Sequence, residues 1–137
     1  MQNNNKLFVK NPSIFRGVFC FILICLTMNG FAQSTIQFKD SKKNFGMVKK
    51  GELVKVVYEF KNSGNSPLII YDYKVGCACT EVEFSRDPVL PGESAEILVK
   101  FDTKSAYDRQ DRVIEIISNA KNSSQKIRLK GVVLTKE

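Results

Sequence analysis

Over most of this chain the apolar residues recur at every second position. In Leu53–Phe60, Val54, Val56, Tyr58 and Phe60 share one face, while Lys55 and Glu59 point the other way. In Ala95–Phe101, Ala95, Ile97, Val99 and Phe101 alternate with Glu96, Leu98 and Lys100. Near the C-terminus, Ile127, Leu129, Gly131 and Val133 alternate with Arg128, Lys130 and Val132. A period of two is the period of a strand, and one apolar face with one polar face is the signature of an antiparallel sheet. Leu68–Val75 and Val113–Ile117 are more continuously apolar, which predicts central strands. Ile36–Phe38 and Phe45–Val48 predict short edge pieces, and Thr80–Phe84 another short run. After residue 33 no helical period stands out.

The punctuation between these runs agrees. Asn62-Ser63-Gly64-Asn65-Ser66-Pro67 predicts a turn, with Gly and Asn available for positive φ. Asp87-Pro88 and Pro91-Gly92 bracket a second turn, Asp102 to Asp111 reads as a longer polar connection, and Asn119 to Ser124 as the last turn. About seven or eight strands at this spacing, in residues 33–137, predict an all-β fold. Its architecture is an immunoglobulin-like antiparallel β-sandwich. With no Trp in the chain, the Cys…Trp…Cys core of antibody domains is excluded.

Residues 1–32 break the pattern. Lys6, Lys10 and Arg16 form a basic start, Val18–Met28 is an uncharged apolar run, and Gly30-Phe31-Ala32 places small residues at −3 and −1 of a cleavage site. That is the layout of a signal peptide. The apolar run is shorter than the ~20 residues that a spanning helix needs, so cleavage after Ala32 is expected over a retained anchor. Lipidation at Cys25 would want a small preceding residue, and Ile24 is not small. The expected product is secreted or periplasmic and has no membrane span after cleavage.

Charge changes little once that segment is set aside. The full chain carries a net +7, but three of its 21 basic residues precede residue 33, which leaves 18 against 14 acids. That balance is ordinary solubility. No Arg/Lys stripe with interleaved aromatics points to nucleic acid. Lys42-Lys43 and Lys49-Lys50 form a small basic cluster, read as a charged strand edge that blocks aggregation, with an anionic lipid or glycan surface as the alternative.

The chain contains no histidine, which removes Ser-His-Asp and Cys-His catalysis and the imidazole zinc sites. Glu81/Glu83 and Asp108/Asp111 are carboxylate pairs, expected to be solvated. The acids of Asp102–Asp111 do not follow a calcium-loop pattern. Asn122-Ser123-Ser124 is a sequon that matters only in a eukaryotic secretory route. No catalytic, cofactor-binding or metal site is expected, and no cofactor.

The chain's four cysteines divide cleanly: Cys20 and Cys25 leave with the signal peptide, while Cys77 and Cys79 stay in an export route where disulfides form. Residues two apart on a regular strand lie roughly 6.6 Å apart, near the upper limit for a disulfide, and a bend at Gly76 or Ala78 would bring them closer. The expectation is a Cys77–Cys79 disulfide without catalytic turnover. A redox-active pair and a soft-metal site, with Cu(I) the best match to two thiolates, are the alternatives.

Five pieces in order carry a family likeness: Asn44-Phe45-Gly46-Met47-Val48; Phe60-Lys61-Asn62-Ser63-Gly64 with Pro67-Leu68; Gly76-Cys77-Ala78-Cys79-Thr80; Pro91-Gly92-Glu93 running to Phe101-Asp102; and Ser118-Asn119 with Leu129-Lys130-Gly131-Val132. Together they resemble family fifteen-seventy-three of the bacterial secreted domains of unknown function. The resemblance implies an immunoglobulin-like sandwich akin to Hydin-type repeats, and no agreed activity. Two positions depart from it. Ala78 stands where the family usually has Gly, and Asp108-Arg109-Gln110-Asp111 where it tends to have a Gly after the long connection. The function expected is a non-enzymatic binding or structural module of the cell envelope, its partner an envelope protein or glycan. The alternative is a thiol redox or Cu(I)-handling protein built on Cys77 and Cys79.

Overall fold

The computed structural model describes residues 32–135. The expected signal peptide therefore lies, but for Ala32, outside the described residues. Eight strands follow one another: β1 (Ile36–Phe38), β2 (Lys42–Lys49), β3 (Leu53–Asn62), β4 (Ile70–Val75), β5 (Thr80–Phe84), β6 (Ser94–Asp102), β7 (Asp108–Ser118) and β8 (Ser124–Leu134). They form two four-stranded sheets, ordered β1-β3-β6-β5 and β2-β8-β7-β4. This is the all-β, immunoglobulin-like sandwich that the alternating rows predict. Pairing is antiparallel except between β2 and β8, which run parallel.

The period-two rows become the core. Val54, Tyr58 and Phe60 of β3, Ile97, Val99 and Phe101 of β6, and Ile127, Leu129 and Val133 of β8 are all buried, with Val56 and Ala95 packed against them. Register makes this consistent, because Val56 pairs with Val99 and Tyr58 with Ile97, so the two rows face the same way. Each large side chain so buried contributes about 1.5–3 kcal/mol. Tyr58 also joins the two sheets: its hydroxyl donates to the Arg128 carbonyl of β8 at 2.7 Å. Burial pushes its phenol up to about 12.

Turns sit where the punctuation placed them. At Leu90-Pro91-Gly92-Glu93 the Glu93 amide donates to the Leu90 carbonyl, and Gly92 has φ 83°. Proline then glycine, with positive φ at the second position, is the arrangement a type II turn requires.

Three expectations are corrected. Leu68–Val75 is not a central strand: β4 starts at Ile70 and forms the edge of its sheet. Its register shifts between Ile70 and Asp72, so Tyr71 is pushed outward and is 52% exposed. Leu68 lies before the strand, in an isolated bridge with Val89. The polar connection expected over Asp102 to Asp111 is shorter, because β7 begins at Asp108. Phe45–Val48 is the middle of a longer edge strand, Lys42–Lys49. The other continuous run, Val113–Ile117, does lie in a central strand, between β8 and β4.

Candidate functional site

The chain crosses from one sheet to the other between β4 and β5, and the two cysteines occupy that corner. The Thr80 amide donates to the Cys77 carbonyl at 3.1 Å, which closes a tight turn. The turn shortens the Cys77–Cys79 Cα separation to 5.2 Å, and the two sulfurs are bonded. A straight strand would hold the Cα atoms about 6.6 Å apart. The bend is therefore what brings the pair into the usual disulfide range. Within the corner the Cys79 amide donates to Cys77 Sγ, and the Asp102 amide of β6 ties the corner down by donating to the Cys79 carbonyl at 2.9 Å. Ala78, between them, is exposed. A bond that closes so short a loop adds little stability by restricting the unfolded chain.

Cys77 lines an open pocket of about 240 Å³ with Val75, Gly76, Thr80, Asp111, Arg112 and Val113. Arg112 is the member that pattern reading missed. It stands on the inward row of β7, at the open end of the sandwich, with its guanidinium 5.0 Å from the centre of the Phe101 ring. One of its terminal nitrogens donates to Gln110 Oε1 at 2.7 Å, while its buried Nε has no partner. The available signal was parity: Arg112 lies two residues before Ile114 and four before Ile116, which are both buried.

The carboxylate pairs do not join this corner as pairs. Glu81 and Glu83 are exposed on the outer face of β5, and Glu83 is ion-paired with Lys100. Asp111 bridges Arg128 and Lys130, at 3.4 Å from each. Asp108 does not share its role, since it opens β7 at φ 59°. Asn122 of the sequon clamps the backbone of Ile36 with both halves of its amide, at 3.2 and 2.9 Å. Lys42, Lys43 and Lys49 lie on the edge strand β2, where a charged edge was expected.

The remaining motif pieces are structural joints. Asn62, with 0% exposure, donates to the carbonyls of Ser66 and Val89 and accepts from the amides of Gly64 and Thr35. A Cβ on Gly64 would meet the Gln33 carbonyl oxygen at 2.3 Å, so only glycine fits there. Asn119 accepts from the Ile69 amide and donates to the Pro67 carbonyl, which fixes the approach to β4. Gly131 lies under the ring of Phe45. Among the described residues, no three His, Cys, Asp or Glu side chains gather at one point, and no helix is long and apolar enough to cross a membrane.

A family model described as "Protein of unknown function (DUF1573)" matches residues 36–133. No curated protein matches the chain. Among solved structures, a protein of unknown function from Porphyromonas gingivalis W83 is similar with a TM-score of 0.65 and 20% identity, over 74% of this chain and 48% of that one. The ASH/PapD-like domain 7 of human CEP192 is similar with a TM-score of 0.63 and 9% identity, over 100% of both chains. The Vibrio cholerae VesB protease is similar with a TM-score of 0.55 and 18% identity, over 88% of this chain and 35% of that one. The chain thus spans about half the length of the Porphyromonas protein and about a third of the protease. At such identities the likeness shows the sandwich fold and nothing of activity.

Proposed function

This chain belongs to the DUF1573 family of proteins of unknown function, and on that premise we propose that it is a non-enzymatic binding or structural module of the bacterial cell envelope, exported by cleavage after Ala32. Its partner on this reading is an envelope protein or glycan. The observation that carries the reading is where the motif residues are spent. Asn62, Gly64, Asn119 and Gly131 each hold one part of the backbone or core against another, and Pro91 and Gly92 shape a turn. Residues so occupied specify a scaffold, and a sandwich scaffold offers its strand edges and faces for contact. Cell fractionation followed by cross-linking in intact cells tests it. The protein is expected in the envelope fraction, cross-linked to a defined partner; a soluble cytosolic protein with no cross-linked species would overturn it.

A second reading rests on Arg112. A cation in the same pocket as Cys77 would favour a thiolate there if the bond were opened. This is the thiol redox or Cu(I)-handling alternative. Stoichiometric copper, or a mixed population of oxidised and reduced Cys77/Cys79 in freshly isolated protein, would select it.

A further inference from the structure

The two outer faces of the sandwich carry opposite charge. In the β2-β8-β7-β4 sheet the outward row follows from the register: Lys42 lies beside Arg128, Asn44 beside Lys130, Met47 beside Val132, and Asp111 opposite Lys130. The edge strands contribute Lys42 and Lys49 on β2 and Lys74 on β4. The central strands contribute Arg109, Lys126, Arg128 and Lys130. Asp72, Asp111 and Glu115 are the acids of this face, so seven cations stand against three acids, a net +4. The outward row of the other sheet holds Lys55, Lys61 and Lys100 against Glu59, Glu81, Glu83, Glu96 and Asp102, a net −2.

Protection of a sheet edge accounts for the lysines of β2. It does not account for four cations on β7 and β8, which are paired on both sides. Apolar side chains lie open among these cations, with Met47 74% exposed, Leu134 46% and Val113 40%. Its exposed aromatics, the bulged Tyr71 and Tyr107 beside Val132 and Leu134, stand at opposite ends of β7, so they form no shared platform on which bases or sugar rings could stack. The cations are spread over four strands, roughly 14 Å from first to last at about 4.8 Å per spacing, rather than focused in one cleft.

We propose that the outer face of the β2-β8-β7-β4 sheet docks on a leaflet of anionic phospholipid. Distributed cations meet distributed headgroups, and Met47, Val113 and Leu134 reach the boundary beneath them. The inference rests on the envelope reading for its setting only. Each cation held near an anionic leaflet contributes about fivefold in affinity at low salt, and this advantage fades as salt shortens the screening length.

Vesicle co-sedimentation of the full chain tests this, with phosphatidylcholine vesicles that either contain phosphatidylglycerol or lack it. The neutral vesicles subtract association through the apolar run Val18–Met28, and any anionic binding through Lys6, Lys10 and Arg16 is common to every variant, so the difference between the two faces carries the test. Binding to the anionic vesicles is expected to exceed neutral binding at least tenfold, and to be lost at about 1 M salt. R109E/K126E should reduce it by more than tenfold, while K55E/K61E, with the same change in net charge, should not. Thermal melts of both variants confirm folding, and K42E/K74E replaces the first pair if it fails to fold. Equal binding to the two vesicle types, or equal loss from the two faces, would overturn the proposal. A cytosolic location would overturn the envelope reading and leave the vesicle result standing.

Discussion

Gly131 of β8 lies directly under the ring of Phe45 of β2, so close that a Cβ at 131 would stand 2.4 Å from the ring. These two residues belong to motif pieces some 85 positions apart, and they fix the parallel pairing of β2 with β8. Gly131→Ala should therefore destabilise the fold by about 2–3 kcal/mol, because an edge strand must shift to admit one methyl group. Phe45→Ala should also destabilise, by about 2–4 kcal/mol. The double variant should cost less than the sum, since removing the ring makes room for the methyl. Chemical denaturation of all four proteins measures the coupling, and strict additivity would refute the contact.

Stability at high pH should depend on Tyr58. Its phenol is pushed up to about 12 by burial, against about 10 when unfolded. The full contribution is present below pH 10. It is lost as pH rises from 10 through 12, because the unfolded chain gives up this proton first. The loss should reach roughly 2–3 kcal/mol. Tyr58→Phe should cost about 1 kcal/mol at pH 7, by removing the bond from the hydroxyl to the Arg128 carbonyl, and should flatten the alkaline decline. Melts between pH 8 and pH 11.5 decide it, and an identical alkaline decline in both proteins would contradict it.

Asp108 holds a left-handed conformation, φ 59°, at the start of β7. A short polar side chain tolerates this region and a β-branched one does not. Asp108→Gly should leave stability equal or raise it by up to about 1 kcal/mol, while Asp108→Val should lower it by about 1–3 kcal/mol. Denaturant midpoints of the two variants provide the check, and a Val variant as stable as the Gly variant would remove the backbone argument.

The same residue marks where the sequence stopped being readable. The rows of β3, β6 and β8 were legible because one side is buried and the other wet, so alternation records burial directly. The start of β7 was hidden because Asp108–Asp111 are polar and the first of them turns the chain. β4 looked central because Leu68, Ile70 and Tyr71 are apolar for three different reasons: a bridge, the core and an outward bulge. The parallel pairing of β2 and the basic outer face arise from neighbours distant in sequence, which no local pattern contains. At the cysteine corner, the pair and its bend at Gly76–Ala78 could be anticipated, but Arg112 joins it only through the packing of β7 against the corner.

The intact mass of the protein, taken without reduction from fractionated cells and after alkylation, tests the exported-module reading most directly. The account predicts a chain that begins at Gln33, found in the envelope fraction and closed by the Cys77–Cys79 bond, with neither thiol alkylated. A full-length chain in the cytosolic fraction, with Cys77 and Cys79 both alkylated, would contradict it.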